Sequence, residues 1–160
     1  MKKVKIAILL FFVACSQQKP LDPLEDLSKR SNLIVFGEIK NVEVLVTGEA
    51  TDSTQTLMPA TAGNIEIDAE EVLKGPPERA VSVSFNVAGD APLNTGEKAV
   101  VFALVSADKA EIIATLRSGN YGRVSLWDGT NAETQNIDIS ITECLVKIRR
   151  YVAAESKGKI

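Results

Sequence analysis

Residues 63–87, GNIEIDAEEVLKGPPERAVSVSFNV, decide the fold. Ile65, Ile67 and Ala69 alternate with Glu66, Asp68 and Glu70. Val81, Val83, Phe85 and Val87 alternate with Ser82, Ser84 and Asn86. A period of two puts one face of each run in a core and the other in water, so both runs read as β-strands. Pro77 cannot donate to a ladder and Gly75 tolerates a positive φ, so the chain turns between them. The period breaks where Glu70 and Glu71 stand together before Val72, which predicts a β-bulge.

The strand upstream, Leu33 to Val46, repeats the feature. Val35, Gly37 and Ile39 share one parity and Val42, Val44 and Val46 the other, so a second bulge is expected near Lys40-Asn41. Paired bulges bend a sheet sharply enough to close. Between these strands, Thr47 to Ala62 holds five threonines, a proline and only two large apolar side chains, Leu57 and Met58. That composition predicts a long loop, a candidate contact element.

Downstream, Ala99 to Val105 is unbroken apolar and reads as a strand covered on both faces. Glu111 to Leu116 is a short strand. Tyr121 to Trp127 is the next, with Val124 and Leu126 on one face and Tyr121, Arg123, Ser125 and Trp127 on the other. From Ile139 to about Glu155 the period becomes helical, with Ile141, Cys144, Leu145, Ile148 and Val152 on one stripe. Lys147, Arg149 and Arg150 lie off it, as cations complementing the helix dipole. Leu24 to Lys29 gives one or two further helical turns, with Asp22 as cap and Pro23 at the first position. These elements predict a mainly β fold: a five- to six-stranded antiparallel OB-like barrel, with the C-terminal helix packed on it as a plug. An open sandwich is the alternative.

The N-terminus gives an address. Lys2, Lys3 and Lys5 precede the apolar run Ile6 to Ala14, too short to span a bilayer and suited to a signal peptide over 1–14. Phe12-Val13-Ala14-Cys15 resembles a bacterial lipobox, which implies acylation of Cys15, with 15–23 as a tether and 24–160 as one domain. Ser16 after it resembles the pattern for outer-membrane sorting. The other reading is an ordinary signal peptide that leaves Cys15 a thiol. Cys144, the only other cysteine, is then a small core residue, or the partner of Cys15 in an oxidising compartment.

Without the leader the chain carries 15 basic and 21 acidic residues, a net charge of −6. That makes nucleic acid a poor partner, and none is expected. The chain has no histidine. Ser-His and Cys-His nucleophiles and most transition-metal sites are thereby removed. No phosphate-loop pattern occurs. Glu66, Asp68 and Glu70 on one strand face are solvated carboxylates sooner than a calcium site, and no metal or cofactor is expected. Tyr121, Arg123 and Trp127, two aromatic rings flanking a guanidinium, are the candidate ligand-binding residues unless the terminal helix covers them.

Four segments together, Asn32 to Ile39, Glu70 to Pro76, Gly96 to Phe102 and Gly119 to Gly122, resemble small secreted bacterial proteins of the TIMP-like, or netrin-like, OB-barrel class. The resemblance spans Leu33 to Trp127 and implies an OB-type barrel with a flanking helix. Animal members inhibit metalloproteases through a free N-terminal cysteine held to the barrel by disulfides. Here Cys15 precedes a tether and the other cysteines are missing, so no inhibitory residue is carried over. The resulting expectation is a non-catalytic, lipid-anchored envelope module. It would meet the membrane through its anchor and bind an envelope protein or a glycan, with inhibition of a hydrolase as the alternative.

Overall fold

The computed structural model describes residues 22–51, 57–88, 91–107, 109–119, 122–129 and 135–157. The leader, Cys15, Tyr121 and the tip 52–56 therefore lie outside the described residues. The elements run α1 (Pro23–Arg30), β1 (Leu33–Thr51), β2 (Leu57–Lys74), β3 (Ala80–Ala88), β4 (Lys98–Val105), β5 (Ala110–Ser118), β6 (Val124–Trp127), β7 (Gln135–Ile137) and α2 (Ile141–Lys157). One sheet holds all seven strands in the order β3-β2-β1-β4-β5-β6-β7. It is a closed five-stranded OB-like barrel, β1 to β5, plus two extra strands, with α2 packed on it. β3 closes on β5 in parallel at Ser84 and Glu111. The Ser84 hydroxyl donates to the Ala110 carbonyl there, at 2.9 Å. The sandwich alternative is thereby excluded.

The bend comes from slips in register. Between β1 and β2 the ladder skips Lys40 and Leu45 on β1, and Glu70 and Leu73 on β2. Two of these are the bulges read from the sequence. Gly37 faces the Glu70 slip, and a β-carbon there would collide with the Asp68 carbonyl oxygen. Only a bare backbone lets the two strands cross so closely. β5 slips too, at Ile113, between the pairs Phe102–Ala114 and Ala103–Ile112.

Each slip moves side chains between two cores. Inside the barrel lie Val35, Ile39, Ile65, Ile67, Val83, Phe85, Val101 and Ile112. Between its outer face and the two helices lie Leu24, Leu27, Ile34, Val100, Phe102, Leu116, Leu126, Cys144 and Ile148. β4 serves both, which is why its residues from Ala99 to Ala103 are all buried. Leu104 and Val105, expected to be covered as well, are 46 % and 41 % exposed where the strand leaves the barrel.

Three expectations are corrected. Thr47 to Ala62 is not a loop. β1 and β2 stay paired from Val46–Ala62 to Thr51–Leu57, so this segment is the outer half of a long hairpin. β-branched threonines carry strand propensity that its polarity disguised. α2 is not a plug in a barrel mouth, because with α1 it covers the outer face of the sheet. Its cations do more than complement a dipole. Lys147 donates to Asp22, the cap of α1, at 2.8 Å, and Arg149 forks onto both carboxylate oxygens of Glu71 on β2.

Candidate functional site

The face proposed for Arg123, Ser125 and Trp127 is the inner side of the sheet, continued beyond the barrel. Register settles this. Thr115 on β5 pairs with Val101 on one side and Trp127 on the other. Trp127 and Val101 both belong to the inner core, and Thr115 is itself buried. Two residues along, Arg117 pairs with Ala99 and with Ser125, and Ser125 pairs with Asn136 of β7. Side chains alternate across a strand, so Arg117, Ser125 and Asn136 continue the inner face outward past the core.

There the face opens into a polar cleft of about 470 Å³. Arg117, Arg123, Ser125 and Asn136 line it, with Ser118, Gly119 and, from the turn before β4, Glu97. The cleft gathers part of the predicted set. Arg123 is in it. Trp127, the only tryptophan, is 7 % exposed and packed in the core, so it offers no ring to a ligand. Tyr121 lies outside the described residues. Arg117 and Asn136 were not anticipated. Arg117 sits on a strand whose parity a bulge conceals, and β7 has too few apolar residues to show a period.

Arg117 Nη1 lies 3.7 Å from Glu97 Oε1, too far for a hydrogen bond. Glu97 is held elsewhere: the Asn94 backbone amide donates to one of its oxygens and the Asn94 side chain to the other, each at 3.0 Å. Arg123 Nε meets Asp138 Oδ1 at 2.7 Å, and Asp138 is 78 % exposed. The Ser125 hydroxyl donates to Asn136 Oδ1 at 3.3 Å. Away from the cleft, Lys98 pairs with Glu70, and Lys74 with Glu155.

A second, shallower depression of about 430 Å³ lies over β1, β2 and β3, with Lys40, Glu66, Asp68 and Ser82 at its margin. Its charges are largely matched. Lys40 is 2.9 Å from Glu38, and Asp68 is 3.8 Å from Arg79. Glu70 sits in its bulge beside Lys98, so Glu66, Asp68 and Glu70 do not converge. No group of residues that could hold a metal ion occurs among the described residues.

Shifted acidities lie away from the cleft and have structural causes. The Arg149 fork holds Glu71 below the usual carboxylate range. Glu143 is lowered by the Ser140 amide and hydroxyl, and Glu38 by the Lys40 ammonium. Burial pushes the Cys144 thiol up to about 11, and that cysteine is free and fully buried. The alternative pairing of Cys144 with Cys15 involves a residue outside the described ones. No protein-family model matches the chain, and a search of curated proteins finds no match.

Proposed function

We propose that this protein is a lipid-anchored, non-catalytic binding module of the bacterial envelope, with the cleft at the barrel rim as its ligand site. The observation that carries the reading is the convergence of Arg117 and Arg123 with the neutral groups of Ser118, Ser125 and Asn136 on one concave face. A rigid barrel that ends in a polar rim suits binding better than acid–base chemistry, which needs a titratable group tuned for transfer. The shifted carboxyls instead serve an ion pair, Glu71 with Arg149, and a helix cap, Glu143 with Ser140. The anchor is Cys15, and Ser16 directs the protein to the outer membrane. Asp22, seven residues on, is fixed by Lys147 and Tyr151 of α2 at 2.8 and 2.9 Å. Such a tether keeps the helix layer within roughly 25 Å of the bilayer.

The test is site-specific photo-crosslinking in intact cells. A photoreactive residue at Ser118 gives a discrete adduct, and one at Val146, 58 % exposed on α2, does not. Adducts at both positions or at neither would remove the cleft as the ligand site. Incorporation of a fatty-acid probe, lost in Cys15→Ser, tests the anchor separately.

A second reading is inhibition of an envelope or extracellular hydrolase. The closed barrel with flanking helices agrees with the fold that the TIMP-like resemblance implies. Purified mature protein then slows such a hydrolase at stoichiometric concentration, and the reading fails if turnover is unchanged.

A further inference from the structure

We infer that the rim cleft takes an oxyanion, a carboxylate or phosphate group of its ligand, bridged between Arg117 and Arg123. The inference rests on the binding reading above and names the chemistry of that site.

Both guanidinium groups have donors to give. Each carries five N–H groups in a planar fork. Arg117 makes no hydrogen bond to the nearest carboxylate, whose oxygens are oriented toward Asn94 instead. Arg123 engages Asp138 through Nε at 2.7 Å, and a single carboxylate occupies at most one edge of the fork, so further N–H groups remain. Asp138 is a weak competitor, since a partner that is 78 % exposed is screened by water. Arg117 is 35 % exposed, so its fork is partly dehydrated and fixed by its strand. Ser125 donates to Asn136 Oδ1, which leaves the Asn136 amide hydrogens for a ligand oxygen. The cleft is thus rich in donors.

Other ligand classes fit less well. A neutral sugar favours an apolar ring to stack on, and among the described residues none lines the cleft, Trp127 being buried in the core. A divalent cation would meet two guanidinium groups. An oxyanion matches both forks, in the paired geometry that makes arginine the usual reader of carboxylate and phosphate.

The test is an amide-resolved NMR titration of the mature protein with inorganic phosphate, acetate, glucuronate and, as neutral control, glucose. Phosphate or the carboxylates give saturable shifts at Ser118, Gly119, Ser125 and Asn136, weakened by added salt, and glucose gives none. Which oxyanion saturates at lower concentration separates phosphate from carboxylate. Arg117→Gln and Arg123→Gln each weaken binding about tenfold. Arg123→Lys, which keeps the charge and loses the fork, falls between. Asp138→Asn frees the Arg123 fork and tightens binding about threefold, a gain that misfolding cannot imitate. Saturation by glucose alone would overturn the oxyanion while leaving the cleft a ligand site. Shifts that persist undiminished in both glutamine variants, or no saturation with any probe, would overturn the inference outright.

Discussion

Lys74, the last residue of β2, donates to Glu155 near the end of α2 at 2.6 Å, across 81 positions of chain. The same ammonium donates to the Ser28 carbonyl of α1 at 2.8 Å. One cation thereby joins a barrel strand to both helices. The two side chains are only 18 % and 23 % exposed, so the pair is drier than the other ion pairs among the described residues. Lys74→Met keeps the aliphatic stem and removes both bonds. The expected loss is about 1.5–3 kcal/mol, the range for hydrogen bonds to a charged group. Urea unfolding followed by circular dichroism measures it. A midpoint equal to the parent's would mean that apolar contacts alone hold the helices down.

Acid should weaken the same layer. Burial opposes the charge of Asp22, but hydrogen bonds from Lys147, the Leu24 amide and Tyr151 outweigh it, and its pKa lies below the ordinary 3.8. Arg149 lowers Glu71 and Ser140 lowers Glu143, both below the ordinary 4.5. Each of these carboxyls binds its proton more weakly folded than unfolded. Their stabilisation is complete above the unfolded values and is lost as pH falls through the lowered folded values. Urea midpoints should therefore hold steady down to about pH 5, begin to decline near 4.5 and 3.8, where the unfolded chain takes up protons, and go on declining through the lower folded values. Asp22→Asn should flatten the most acidic part of that decline. Stability that rises on acidification would contradict the ion-pair account.

The bulged crossing of β1 and β2 makes a contrast between two glycines. Gly37→Ala places a methyl against the Asp68 carbonyl oxygen, with the Ala69 Cα 3.0 Å away. The strands must part there, at a cost of about 1–3 kcal/mol for an overpacked site. Gly48→Ala, in the outer hairpin, meets nothing within 4 Å. It should be neutral or stabilising by up to about 1 kcal/mol, since alanine loses less entropy than glycine in a strand. Equal effects at the two positions would refute close strand approach as the reason for Gly37.

How far the sequence could be read follows from these elements. Clean periods found the inner faces of β2 and β3, and breaks in period found two bulges, because burial writes itself onto alternation. The bulge at Ile113 was missed. Its strand is apolar on both sides of the slip, so no change of parity shows. The start of α2 was legible but not used. Ser140 and Glu143 form a reciprocal capping box, with Ser140 N to Glu143 Oε2 at 2.8 Å and Glu143 N to Ser140 Oγ at 3.2 Å, which puts the first helical residue at Ile141. At the cleft, parity grouped Arg123, Ser125 and Trp127 on one face but carried no information on depth. Nothing local distinguishes Trp127 in the core from Ser125 at the rim, because that depends on where β4 and β5 end in space. The partners Lys147–Asp22 and Arg149–Glu71 join distant segments, and no spacing along the chain encodes such pairs.

The buried thiol supplies the last prediction. Cys144 lies between α2 and the sheet, fully buried with Leu145 and Ile148, and burial raises its pKa from the ordinary 9.0 to about 11. At pH 8 roughly one part in a thousand is thiolate, the only form that attacks a disulfide reagent. In protein beginning at Ser16, Cys144 is the sole thiol. An aromatic disulfide reagent should release about no chromophore from the native protein over minutes, and one equivalent after unfolding in guanidinium. The reagent must wait for α2 to lift, so the slow native rate should track stability and accelerate in Lys74→Met. Rapid release from the folded parent would place Cys144 at an accessible surface and undo the packing of α2 against α1, β2 and β5. A slow rate indifferent to Lys74→Met would show that the thiol is reached by a smaller local opening, with the helix staying docked.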